Sequence, residues 1–269
     1  MRPLIYTIMV ILCLPLMLRA AEDANGIDSE VLIRRILAVD SVQRSLVRDV
    51  TFDAEYVERE NKGDDGFKEK VRLVKRVYLR YDEDTTRFHE EFLEYYKDGK
   101  RKNEKDLNTE AEKRREEKRK RKGRDISYSM LTPFYPDKSE SYTITYIGLE
   151  NKLDGCGPCH RFRIQANEEV DSLINGDFYF ESATFHLVRV DFSPARLIKK
   201  TMFKLKELKL TIIYGRIDDD IWLPERFEVA GKGKAALFFG VNFAGTEYYR
   251  NPVINSGLAD SLFVGETDD

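Results

Sequence analysis

Alternation with a period of two, sustained on both sides of a cysteine-containing turn, is the feature that most narrows the folds open to this chain. Tyr142, Ile144 and Tyr146 alternate with Thr143 and Thr145. Past Asp154-Gly155-Cys156-Gly157-Pro158-Cys159-His160, the residues Phe162, Ile164 and Ala166 alternate with Arg161, Arg163 and Gln165. Such spacing gives each segment one apolar face, so 142–166 reads as a β-hairpin.

The same pattern recurs along the chain. Residues 51–60 lead through Asn61-Lys62-Gly63-Asp64-Asp65-Gly66 into a segment where Val71, Leu73, Val77, Leu79 and Tyr81 alternate with Lys70, Arg72, Arg76 and Arg80. A third strand, 87–97, ends at the turn Asp98-Gly99. Beyond the central hairpin, strands are expected at 176–181, 185–192, 202–214, 221–230, 235–239 and 246–249, each bounded by Gly, Pro, Asn or Asp. Leu208, Leu210, Ile212 and Tyr214 share one face of the longest. The connections are too short for parallel crossovers, so about eleven antiparallel strands should form one strongly curved sheet, an incomplete β-barrel.

An apolar sheet face must be covered. Residues 28–49 supply an amphipathic helix, with Leu32, Ile36, Val39 and Leu46 at helical spacing and Asp28 or Ser29 placed as the cap. Residues 104–124 differ in kind: they are highly charged and almost without apolar side chains, and Thr109-x-x-Glu112 matches a capping box. This insert is expected to be a solvated helix protruding between strands and dispensable for folding. Its basic end, 113–124, suits contact with an anionic membrane surface or an envelope protein. Leu131-Thr132-Pro133-Phe134 reads as an ordered loop.

The N-terminal segment stands apart from the fold. Arg2 is followed by an apolar run over 4–18 and then Arg19-Ala20-Ala21. That is short for a membrane span and reads as a secretory signal peptide over 1–21, cleaved near Ala20 or Ala21, leaving one domain over 22–269 in the periplasm. Loss of Cys13 leaves Cys156 and Cys159 in an oxidising compartment, where they are expected to close a small disulfide loop. A net charge of −3 offers no field for nucleic acid.

The tip residues also fit two other chemistries. Cys156-Gly157-Pro158-Cys159 matches a dithiol redox centre, but it sits between antiparallel strands, without the helix N-terminus that lowers a thiol's pKa. Cys156-x-x-Cys159-His160 matches covalent haem attachment, with His160 as axial ligand, yet His160 shares parity with Phe162 and Ile164 and so belongs to an apolar face. His89 and His186 have no spacing that argues for zinc. No nucleophile elbow, phosphate loop or His-Glu-x-x-His helix is present, and Asp218-Asp219-Asp220 reads as a turn. No cofactor, metal site or catalytic residue is expected.

The order of helix, strand pair, YYKDGK (Tyr95 to Lys100), charged insert, TPF (Thr132 to Phe134), YIGLENKLDG (Tyr146 to Gly155), FYFESATFHLVRVDF (Phe178 to Phe192) and WLPERFEVAGKGK (Trp222 to Lys234) resembles a superfamily of exported proteins, that of the lipoprotein carrier LolA and receptor LolB. The insert and the cysteine near the turn resemble its outer-membrane lipoprotein-sorting branch. The resemblance implies an incomplete β-barrel lined by apolar side chains, covered by helices, whose cavity accepts acyl chains. On that basis the chain is expected to be a non-catalytic, monomeric carrier of acyl chains of lipids or lipoproteins, with no ligand-binding residue assigned. Two alternatives stay open: a structural or envelope-assembly module with a filled core, and a redox or haem protein acting through Cys156, Cys159 and His160.

Overall fold

A computed structural model describes residues 28–61, 66–82, 86–121, 130–151, 153, 157–197, 199–200, 203–235 and 239–263 of the 269. The expected signal peptide, together with Asp154, Gly155 and Cys156, lies outside the described residues.

Among the described residues eleven strands form one antiparallel sheet, with a twelfth paired to its middle. They are β1 (Asp49–Asn61), β2 (Phe67–Tyr81), β3 (Thr86–Lys97), β4 (Lys100–Arg101), β5 (Tyr142–Glu150), β6 (Cys159–Ala166), β7 (Ile174–Glu181), β8 (Leu187–Pro194), β9 (Lys199–Lys200), β10 (Phe203–Asp218), β11 (Ile221–Ala235) and β12 (Phe239–Ile254). The spatial order is β4-β3-β2-β1-β12-β11-β10-β8-β7-β6-β5, and β9 pairs with β10. The sheet curves without closing, because β4 and β5 stand at opposite ends of the path. The curved, incomplete barrel expected from the alternation is therefore present. Neighbours along this path are successive strands except at β10–β8, where β9 lies off the path, and at β1–β12, which joins the two halves.

Alternation decides which face each side chain takes. In β6, His160, Phe162 and Ile164 face inward and Arg161, Arg163 and Gln165 outward; in β10, Leu210, Ile212 and Tyr214 pack into the same inner cluster. Asp98 and Gly99, with φ of 51° and 75°, make the two-residue reversal between β3 and β4. Positive φ at both positions matches the right-handed twist of a tight hairpin. Of the strand expected at 235–239, Ala235 is the last residue of β11 and Phe239, paired with it, the first of β12, while 236–238 lie outside the described residues.

Three elements cover the inner face. The helix α1 (Ser29–Leu46) starts where expected, with the Asp28 carboxylate accepting from the Glu30 amide at 2.9 Å. Leu32 and Ile36 are buried, but Leu46 is exposed and Val47, just past the helix, takes the buried place instead. The segment read as a loop is a 3-10 turn (Thr132–Phe134) followed by the short helix α3 (Pro136–Ser139). Phe134 plugs the inner face, edge-on to Phe162, Phe178 and Phe180 at 5.4 to 5.7 Å.

The charged insert is helical, as α2 (Glu104–Arg121), but it does not simply protrude. Its few apolar residues lie one turn apart: Ala111 is buried and Leu107 packs against Val71, Leu73 and Tyr95 of the inner face. Arg114 adds a guanidinium over the Tyr56 ring at 5.3 Å. Two small apolar side chains at helical spacing are enough to dock a helix whose other side is charged. The start also differs from expectation. Asn103 caps the helix by accepting from Asp106 N at 2.9 Å, while Thr109 lies inside and donates to the Lys105 carbonyl at 2.9 Å.

Candidate functional site

The inner face is covered at its two flanks and thinly covered between. On the β5 to β8 side it is sealed by Phe134 and the first turns of α1; on the β1 to β3 side, by α2. Between them the inward side chains of the central strands, among them Leu210, Ile212, Phe227, Val229, Phe243 and Tyr249, are only half-buried. A cavity of about 170 Å³ lies under the second half of α1. It is lined by Ile36, Val39, Asp40 and Gln43 of α1, by Tyr81, Tyr214, Trp222 and Leu223 of the sheet, and by Phe185 and His186 of the turn before β8.

The helix is tied down mainly at its C-terminal end. The Asn255 amide donates to the Leu46 carbonyl at 2.7 Å, and the Gln43 side-chain oxygen accepts the Trp222 backbone N–H at 2.9 Å. One turn earlier the Asp40 carboxylate accepts from Arg44 Nε at 2.7 Å and from the Tyr135 hydroxyl. Burial and this carboxylate push Tyr135 up to about 12. The N-terminal half is held by apolar contacts, which have no preferred direction and can slide.

A polar set interrupts the apolar trough. Lys75 of β2 is 7 % exposed and faces inward opposite Ala54 of β1. Because Ala54 is short, the lysine lies across β1 and reaches Glu247 of β12 at 2.8 Å, while also pairing with Glu90 of β3. Tyr249 hydrogen-bonds Glu247, and burial holds its hydroxyl well above the ordinary range. Burial opposes charge on Lys75, but Glu247 and Glu90 together outweigh it and raise its pKa, so the ammonium is retained. Sequence reading missed this group: Lys75 shares parity with Val71, Leu73 and Val77, but only the strand pairing sets Glu90 and Glu247 beside it.

The residues singled out at the hairpin tip separate in space. Cys159 and His160 are successive in β6, so their side chains leave opposite faces of the sheet. The Cys159 thiol is buried with Tyr179 and Val188 and donates to the Gly157 carbonyl at 3.2 Å. His160 lies in the inner core, 2.9 Å from the Tyr146 hydroxyl through Nδ1 and stacked on Phe185 at 5.5 Å. A haem held by both would have to meet a thiol on one face and an imidazole on the other, so these residues do not fit that group. Burial lowers the pKa of His160 and favours the neutral ring. His186 borders the cavity, whereas His89 sits opposite Tyr78. Among the described residues no three His, Cys, Asp or Glu side chains are grouped to hold a metal ion.

No protein-family model matches the chain, and no curated protein does. Solved structures similar to it include an outer membrane lipoprotein-sorting protein domain from Vibrio parahaemolyticus, at 12 % identity and a TM-score of 0.49, covering 88 % of this chain and 97 % of the other. A LolA superfamily protein from Nitrosomonas europaea is 9 % identical with a TM-score of 0.33, covering 88 % and 97 %. MucB, from a complex with MucA(peri), is 8 % identical with a TM-score of 0.25, covering 83 % and 94 %.

Proposed function

We propose that this chain is an exported, periplasmic, non-catalytic carrier that shelters an acyl chain of a lipid or lipoprotein against the inner face of its open sheet. The observation that carries the reading is the half-buried apolar strip on the central strands, continuous with the cavity under α1. Apolar surface of that kind is the ordinary lining of a small-molecule site. Each methylene transferred onto it from water contributes about 0.8 kcal/mol. At about 170 Å³ the cavity is close to the ~150 Å³ that holds one benzene-sized group. A whole chain therefore enters only as the second half of α1 lifts from the cavity and releases the Gln43 contact with Trp222. The exposed charged side of α2 is the part offered to an anionic membrane or an envelope partner. Two thiols at the hairpin tip, Cys156 and Cys159, are proposed to close a disulfide there.

The test is native purification from an expressing host followed by mass spectrometry of extracted lipid, alongside titration with a fluorescent fatty acyl probe. Bound acyl species, displaced by the probe and lost when Ile212 and Val229 are replaced by Asp, are the expected result. Absence of lipid and of saturable probe binding would refute carriage and leave a filled-core module.

A further inference from the structure

Two polar atoms on residues lining the cavity under α1, Nδ1 of His186 and the indole Nε1 of Trp222, have no hydrogen-bond partner among the described residues. The two rings stack with centroids 5.8 Å apart and planes 21° off parallel, so the two residues form one corner. Buried polar groups are nearly always satisfied, and two orphans on stacked residues that both line one cavity call for an explanation. Immediately before them Phe185, another lining residue, has φ of 64°. A bulky residue in the left-handed region is uncommon, and such backbone gathers at ligand sites.

The chemistry of the corner follows from its atoms. His186 is 6 % exposed, and its ring is already engaged with the Asp220 backbone. Burial is the largest influence on it and lowers its pKa, which favours the neutral imidazole. A neutral ring that gives its one N–H to a carbonyl leaves Nδ1 as an acceptor. The Trp222 indole can only donate. The corner thus presents one acceptor beside one donor.

We propose that this corner receives the polar end of the acyl ligand and selects a linkage that both donates and accepts, an amide in preference to an ester. The inference rests on the carrier reading and names the class of cargo within it. An ester offers acceptors only and leaves His186 Nδ1 unsatisfied, whereas an amide N–H and carbonyl answer both atoms. In the arrangement described here the two atoms are closed to solvent, and Gln43 of α1 is fastened to the backbone of Trp222. The displacement of α1 that admits the chain is also what uncovers the corner.

Trp222 is the single tryptophan in the sequence, so intrinsic fluorescence reads this site directly. The full secreted protein is titrated with dodecanamide and with methyl dodecanoate, which share one acyl chain. The amide should bind at least about tenfold tighter and shift the tryptophan emission, because a site that hydrogen-bonds a donor rejects the analogue lacking it. Calorimetry on Trp222→Phe should show affinity for both ligands reduced with the preference kept, because the indole N–H serves the carbonyl of either and His186 Nδ1 is the atom that discriminates. Equal affinity of the two ligands for the wild-type protein would overturn the proposal while leaving the carrier reading intact, even if the variant fails to fold. Binding of neither ligand would overturn both.

Discussion

Replacing Lys75 by Met should be among the most damaging single changes this sheet can suffer. The ammonium sits between the carboxylates of Glu90 and Glu247, and Lys75 and Glu247 are 7 % and 9 % exposed. Methionine fills nearly the same volume, so little is lost in packing; what is lost is the cation that faces two acids in a water-poor trough. Breaking a buried ion pair from one side costs about 3–5 kcal/mol, because the remaining charge is left uncompensated. For a domain of this size each kcal/mol lowers the melting temperature by about 2–4 °C, which gives a loss of about 6–20 °C. Thermal unfolding followed by circular dichroism measures it. The triple variant Lys75→Met, Glu90→Gln, Glu247→Gln removes the stranded charges and should recover most of the loss. A single variant that melts within about 2 °C of wild type, or a triple variant no better than the single, would show that the three groups are hydrated and the reasoning wrong.

Three further expectations concern other parts of the molecule. In α2, Leu107→Asp should destabilise by about 0.5–3 kcal/mol in denaturant titration, whereas Lys113→Glu on its exposed side should leave stability within about 0.5 kcal/mol and weaken co-sedimentation with anionic vesicles in a salt-dependent way. His160 and His186 are both held below their ordinary pKa of 6.5 by burial, so the unfolded chain takes up protons first and stability should fall as pH drops below that value. His160→Gln should flatten that slope, and a melting temperature independent of pH between 7 and 5 would contradict it. Protein recovered from an oxidising compartment should weigh less than its reduced form by two hydrogens and show no haem absorbance, and an unchanged mass on reduction would remove the proposed Cys156–Cys159 disulfide.

Much of the fold was legible because a period of two needs no context. Tyr142 to Ala166 pairs as a hairpin, Leu210, Ile212 and Tyr214 share the inner face, and Asp28 caps α1, each from local rules alone. What was not legible depended on partners distant in sequence. Leu107 and Ala111 are too few to register as an amphipathic stripe until Val71, Leu73 and Tyr95 are placed opposite them. Lys75 becomes a core residue only because Ala54 separates it from Glu247. The cavity corner joins Trp222 of β11 to His186 of the turn before β8, two places that periodicity treats separately. The tip motif misleads for the opposite reason: its residues are adjacent in sequence, and strand geometry sends Cys159 and His160 to opposite sides.

The two free ends of the sheet, β4 and β5, carry a mechanical consequence. In a closed barrel the bore is fixed by strand number and shear, and widening it means breaking a ladder. A sheet that stops short of closure can change its radius through small increments of twist spread over every strand pair, with all its backbone pairing kept. On the carrier reading proposed above its capacity is then continuous, and cargo of different girth can be gripped by one molecule whose hydrogen-bond pattern never alters.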